Sequence, residues 1–280
     1  MKSNDSFSMF MLVLSLILAS IMAQANDETP YVLHAGIYPP FVQMDNNGST
    51  DVIVQKIFKA SGVTVEVVHF PLKRLGTHSL GRAKNLGIYA PISLGLAYAK
   101  KEHLLISKPF QMGRFLFWYF KPNFRENIEW SQFSDLKGYR IATPLGSLLT
   151  PKLIEAGLEV DFANDTDAHI RKLVMNRADL SPLFYLTAHN SIMKYYPNKL
   201  QDFGHLKKPI AFTEYSLILN KGHHQAEDIM RHYHIGLDKI IKNGSYLQWL
   251  EELYGKDGIP REYQDLIFKK LNYNPDINYQ

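Results

Sequence analysis

Gly236-Leu237-Asp238-Lys239-Ile240-Ile241-Lys242-Asn243-Gly244-Ser245-Tyr246-Leu247-Gln248-Trp249-Leu250-Glu251-Glu252-Leu253-Tyr254-Gly255 reads as a helix, a glycine stop, a second helix and a second glycine stop. Apolar residues recur at Leu237, Ile240 and Ile241, then at Leu247, Leu250 and Leu253, the spacing of one buried face per helix. Gly244 and Gly255 stand where C-terminal caps are expected. Ser245 is placed to cap the second helix.

Upstream of this pair, strand and helix signals alternate. Tyr31 to Gly36 reads as a strand, Tyr38-Pro39-Pro40-Phe41 as a rigid turn and Asn46 to Ser49 as a loop. Asp51 to Ala60 is an amphipathic helix, Val63 to Phe70 a strand, Leu72 to Leu80 a helix and Leu86 to Ala90 a short buried strand. Phe115 to Phe120 is an aromatic strand, ended by Lys121-Pro122. A new cycle begins at Asp135, with strands expected over Glu159 to Phe162 and Ala178 to Tyr185, and helices over Asp165 to Met175 and Ala188 to Tyr195. Thr213 to Leu219 is a further strand. One α/β unit, a second α/β unit, then a strand and helices with nowhere to pack except the first unit predict two lobes joined by two crossover strands. The expected division is 26–118 for the first part of lobe 1, 119–212 for lobe 2 with its hinge strands, 213–255 for the return of lobe 1, and 256–280 for a polar tail. Clefts between domains are preferred ligand sites.

Length and composition agree with two packed units. The chain has 280 residues, 46% of them hydrophobic. Its 31 basic and 27 acidic residues leave a formal charge of +4, too balanced and too scattered for a nucleic-acid surface. Met9 to Ala19 is almost wholly apolar, Ala23-Gln24-Ala25 is a small-x-small site, and Asn26-Asp27-Glu28 turns polar at once. That pattern is a secretory signal peptide over 1–25, cleaved after Ala25. The absence of cysteine excludes disulfides, thiolate metal sites and an N-terminal lipid anchor. His223, His224, His232 and His234 have no acidic frame and read as a solvated face, not a metal site. There is no G-x-S-x-G, H-E-x-x-H or P-loop signature.

The terminal helix pair resembles the "I-x-x-I-x-x-x-G-x-Y-x-x-I-x-x-x-W/Y-G" ending of bacterial periplasmic solute-binding proteins of the polar-amino-acid type. Further stretches resemble the same family in order and spacing. Tyr38-Pro39-Pro40-Phe41 is similar to its cleft-rim turn, and Pro71-Leu72-Lys73-Arg74 to its "P-W-x-R" helix start. Ser93 through Phe110 is similar to "S-x-S-x-T-x-x-R…F-S-x-P-Y". Asp135-Leu136-Lys137-Gly138 with Gly146-Ser147, and Asn176-Arg177-Ala178-Asp179, complete the set. The resemblance covers most of residues 30–255. It implies the two-lobed α/β type 2 periplasmic binding fold, with a discontinuous first lobe and two hinge strands.

It also implies a ligand trap, and here the departures matter. The family's carboxylate-binding Arg falls on Lys100, a point charge instead of a planar fork. Its Thr falls on Ala97 and a ligand Ser on Gly95, while Ser93 is kept. The acid that takes an α-amino group is missing from Leu180 to Tyr185. A buried ammonium needs a paired acceptor, so these departures point away from an ordinary free α-amino acid and toward a small polar or anionic ligand. The residues implied to meet it are Tyr38, Phe41, Arg74, Ser93, Lys100, Ser147, Phe184 and Tyr185. Lys100 fits a solvated helix end equally well. No catalytic residue, metal or cofactor is expected. The implied partners are the small-molecule ligand and an inner-membrane ABC permease or a sensor, and the exported chain is expected in the periplasm as a monomer. The rival readings are an enzyme on the same scaffold, similar to cyclohexadienyl dehydratases, with Glu102, His103 and Glu214 as acid/base candidates, or an orphan signalling or envelope protein.

Overall fold

The computed structural model describes residues 31–82, 84–124, 128–144, 147, 149–256 and 259. The signal segment 1–25 lies outside these residues, as do Gly146 and most of the tail after 255.

Strand β1 (Tyr31–Ile37) is flanked by β2 (Val65–Pro71) and β3 (Gly87–Pro91), both parallel to it. The helices α1 (Ser49–Ser61) and α2 (Leu72–Ser79) make the crossovers that parallel pairing requires. Helix α3 (Ile92–Tyr98) follows β3, and the short β4 (Leu104–Ile106) pairs with β10 (Ala211–Asn220). β10 also runs antiparallel to β3, so a strand from late in the chain completes the first sheet.

β5 (Gln111–Phe120) is ten residues long and serves both units. Its first half pairs with β10, from Gln111 opposite Tyr215 to Phe115 opposite Ala211. Its second half pairs with β8 (Ser181–Phe184) and β9 (Phe203–His205). In the second unit, β6 (Arg140–Pro144) runs parallel to β7 (Glu159–Ala163). A bridge between Ile141 and Leu180, with the Ala142 N–H donating to the Leu180 carbonyl at 2.9 Å, ties β6 to the strand leading into β8. Helices α4 (Thr150–Glu155), α5 (Thr166–Val174) and α6 (Tyr185–Tyr195) cover this unit.

The terminal helices α7 (Ala226–Lys242) and α8 (Ser245–Tyr254) return to the first unit. Leu237, Ile240, Tyr246, Trp249 and Leu250 share one core with Leu33, Ile53, Ile57, Phe58 and Leu217. The crossing of α7 over α1 is close: a Cβ on Gly236 would lie 1.9 Å from the Ile57 carbonyl oxygen. The second unit has its own cores, one around Leu116, Ile170 and Ile192 and one around Phe117, Leu153 and Leu180.

Two local expectations are corrected. Ser245 does not cap α8; it is the first helical residue, and its N–H donates to Asn243 Oδ1 at 3.0 Å. Gly244 does take the left-handed conformation (φ 80°) that ends α7. The strand expected over Ala178 to Tyr185 is shorter at both ends. Asp179 is held by the Arg140 guanidinium and backbone N–H, which keeps Ala178 and Asp179 outside the strand. Tyr185 already belongs to α6.

Candidate functional site

The end of β1 leads into the Tyr38–Phe41 turn. The Phe41 and Val42 N–H groups both donate to the Tyr38 carbonyl, at 3.0 and 3.1 Å. Pro39–Pro40 is a cis bond. The N-terminus of α1 clamps this turn from behind: Ser49 and Thr50 N–H groups donate to the Pro40 and Phe41 carbonyls at 2.9 and 2.8 Å. Asp51, fully buried in the first turn of α1, accepts the Gln43 N–H at 2.8 Å and the Tyr89 hydroxyl. Burial pushes the Asp51 carboxyl up, and these two donors oppose that shift. The result is a rigid rim that presents Tyr38, Phe41 and Val42 to a cavity of about 410 Å³.

The cavity draws its walls from both units and from the strands between them. The first unit supplies Tyr38, Phe41, Leu72, Leu75, Tyr89, Ser93 and Tyr98. The second supplies Phe133, Pro144, Ser147, Leu149, Lys152 and Phe184. The connecting strands supply Phe115, Ala211, Thr213 and Tyr215. Aromatic contacts cross the boundary. Tyr38 stacks on Phe41 at 6.1 Å, and Phe184 meets both edge-on, at 6.0 and 5.9 Å. Phe184 also lies 4.8 Å from Phe115, its cross-strand partner. Gly113 makes room for it, since a Cβ there would be 2.7 Å from the Phe184 ring. Gly76 does the same for Tyr98, whose ring would lie 2.0 Å from a Cβ at that position. The hydroxyl of Tyr38 is pushed up to about 12 by burial, with Thr187 partly opposing the shift. Tyr215 is raised by burial as well. These hydroxyls stay protonated at neutral pH.

Of the eight residues implied by sequence, five line the cavity: Tyr38, Phe41, Ser93, Ser147 and Phe184. Three do not. Arg74 is exposed on α2. Lys100 is exposed just before the 3-10 turn Lys101–His103, past the end of α3. Tyr185, one residue beyond the strand, turns into a ring cluster with Trp118 and His205 instead. Glu102, His103 and Glu214 are also absent from the described lining. Asp167, an acid of the second unit, is occupied by the hydroxyls of Ser191 and Tyr195 at 2.6 and 2.7 Å.

Sequence reasoning missed Lys152, the one ionisable charge among the described lining residues. It sits in the first turn of a six-residue helix after a proline, with no motif around it. Phe115 and Tyr215 were legible as strand residues, but their shared cavity face depends on the β5–β10 register.

No protein-family model and no curated protein matches the chain. Solved structures do. The arginine-, lysine-, histidine-binding protein ArtJ from Geobacillus stearothermophilus is 17% identical with a TM-score of 0.59, over 87% of this chain and 100% of that one. The GluR0 ligand-binding core from Nostoc punctiforme, in complex with L-glutamate, is 15% identical with a TM-score of 0.60, over 81% and 100%. A histidine kinase sensor domain with similarity to periplasmic binding proteins is 16% identical with a TM-score of 0.60, over 81% and 96%. Likeness at this level of identity establishes architecture, and the architecture is the two-lobed α/β type 2 periplasmic binding fold that the terminal helix pair pointed to.

Proposed function

We propose that the chain is a solute-binding protein that captures a small ligand between its lobes and closes over it by bending β5 and β10. One observation carries this reading: a cavity of about 410 Å³ with walls from both lobes and from the strands that join them. A solute there would meet Tyr38, Phe41 and Ser93 on one side and Ser147 and Phe184 on the other. Contacts to both sides coexist only with the lobes together, so ligand free energy favours closure. The similar structures include binding proteins and a sensor domain, which supports capture over catalysis. No described lining residue is an acid, so a placed acid/base pair has no support.

The same lining favours an anionic or neutral ligand without an α-amino acid headgroup, because an ammonium in this cavity would be left without a carboxylate partner. The reading includes export through residues 1–25 to the periplasm, division of the chain at 26–118, 119–212 and 213–255, and delivery to an ABC permease or a sensor. Among the described residues no helix is long and apolar enough to cross a membrane.

A thermal-shift screen against amino acids, carboxylates, polyamines and small sugars tests the proposal. At least one class should raise Tm in a concentration-dependent way, with the shift lost in Phe41→Ala. No response to any class, together with an unchanged scattering profile, overturns it.

A further inference from the structure

Among the described lining residues the one charged side chain, Lys152, lies on the second lobe, while hydroxyls lie on several walls, Ser93, Thr213 and Ser147 among them. Of its tyrosine hydroxyls, that of Tyr89 is already spent on Asp51, and Tyr215 is buried among the rings of Phe41 and Phe184. The aromatic wall of Tyr38, Phe41, Phe115 and Phe184 therefore offers ring surface and little hydrogen bonding. On the second lobe, Ser147 and Lys152 stand beside Phe184 as polar groups of the lining. The Ser147 hydroxyl oxygen accepts the Leu149 N–H at 3.2 Å, and the Ser147 N–H goes to the Pro144 carbonyl at 3.1 Å. What Ser147 has left to offer a ligand is a hydroxyl proton. Lys152, on the same segment, is exposed and has no acid within 4.0 Å among the described residues.

We infer that the cavity takes an amphiphilic monoanion: an apolar, ring-bearing body against the aromatic wall, with a single carboxylate or sulfonate held by Lys152 and Ser147. This rests on the interlobe cavity being the ligand site. Lys152 becomes the specificity-determining residue, in place of Lys100. A lysine is suited to this task because a point charge accepts any anion geometry, whereas a guanidinium selects planar forks. The ligand's own apolar body excludes water around the ammonium and so strengthens the pairing. A cavity of about 410 Å³ lies in the range of sites that hold small organic ligands.

A matched series separates charge from shape: 3-phenylpropanoate (anion), 3-phenylpropanamide (neutral), 3-phenylpropylamine (cation) and phenylalanine (zwitterion), titrated calorimetrically into the purified protein. The anion should bind at least tenfold more tightly than the amide, and the amine and phenylalanine should show no measurable heat. Lys152→Met should weaken the anion about tenfold and leave the amide unchanged. Its exposed position predicts an unchanged Tm, which serves as the folding control. Lys100→Met should change neither ligand. An anion-to-amide ratio unaffected by Lys152→Met overturns the inference, as does tight binding of phenylalanine or of none of the four. If a different solute class binds and is lost in Phe41→Ala, the cavity remains the ligand site and only the assigned class fails. If nothing binds at all, the site itself fails.

Discussion

His169 on α5 is fully buried, with its Nδ1 2.8 Å from Ser181 Oγ. The Ser181 hydroxyl donates onward to the Ala142 carbonyl at 3.0 Å, so the imidazole Nδ1–H donates to serine. Burial, against the pull of the Ala142 carbonyl, lowers its pKa from 6.5 to about 4. Between those values the unfolded chain binds a proton that the folded chain does not. Stability therefore rises with pH from about 4 to 6.5 and is flat above, a span worth roughly 3 kcal/mol at about 1.4 kcal/mol per unit. Urea denaturation across pH 4.5 to 7.5 should show this slope, and His169→Gln should reduce it, leaving the part owed to His34, His189 and His205, whose pKa values burial also lowers. An unchanged slope in the variant assigns the proton to another group. This role was not readable from sequence, because nothing near His169 announces its partner twelve residues on. The same holds for the cavity. The rim turn Tyr38-Pro39-Pro40-Phe41 announced itself through two prolines. Lys152 had only Pro151 beside it, and Lys100 drew attention through spacing alone.

Among the elements, the terminal helix pair was the most legible part of the chain. Two apolar faces at helical spacing with glycine stops can be satisfied in few ways. What the spacing could not show is how near α7 comes to its neighbour. Gly236→Ala tests that. In an exposed helix the change would stabilise by about 1 kcal/mol through propensity. Here a Cβ would meet the Ile57 carbonyl oxygen at 1.9 Å, and backbone cannot swing aside as a side chain can. Overpacking of about 1–3 kcal/mol or more then exceeds the propensity gain. The substitution should be net destabilising, read as a lower urea midpoint with the m-value retained. A stabilised variant would mean that the helices stand further apart than described. The start of β8 failed for the opposite reason. Apolar residues run on from Ala178 through Leu180 to Phe184, and the strand's beginning is set by Asp179 bonding to Arg140 some 40 residues away, which local pattern cannot contain.

At the scale of the whole molecule, the question is what holds two lobes in register when only two long strands join them. β5 and β10 pair through five residue positions at the boundary, and bending there must move the two ends of the eight-stranded sheet against each other. Phe184 sits at that point. It belongs to β8 at the far end of the eight-stranded sheet, lies over Gly113 on β5, and meets Tyr38 and Phe41 of the first unit and Tyr215 of β10. A single ring thus couples the cavity wall to the hinge. Its removal has two separable consequences. Stability falls by lost burial, and because Phe184 is only partly buried the loss should be about 2 kcal/mol, below the 3–5 expected for a fully buried phenylalanine. Interlobe geometry should also loosen, because the ring contacts of Phe184 with Tyr38 and Phe41 across the boundary are gone. Phe184→Ala should then show a larger radius of gyration by small-angle scattering without ligand, and a larger change on ligand addition. Tyr185→Ala, one residue along but turned into the Trp118 cluster, should lose comparable stability with no change in radius. If both variants alter stability and neither alters the radius, Phe184 is a packing residue of the second lobe and the joint between the lobes lies elsewhere.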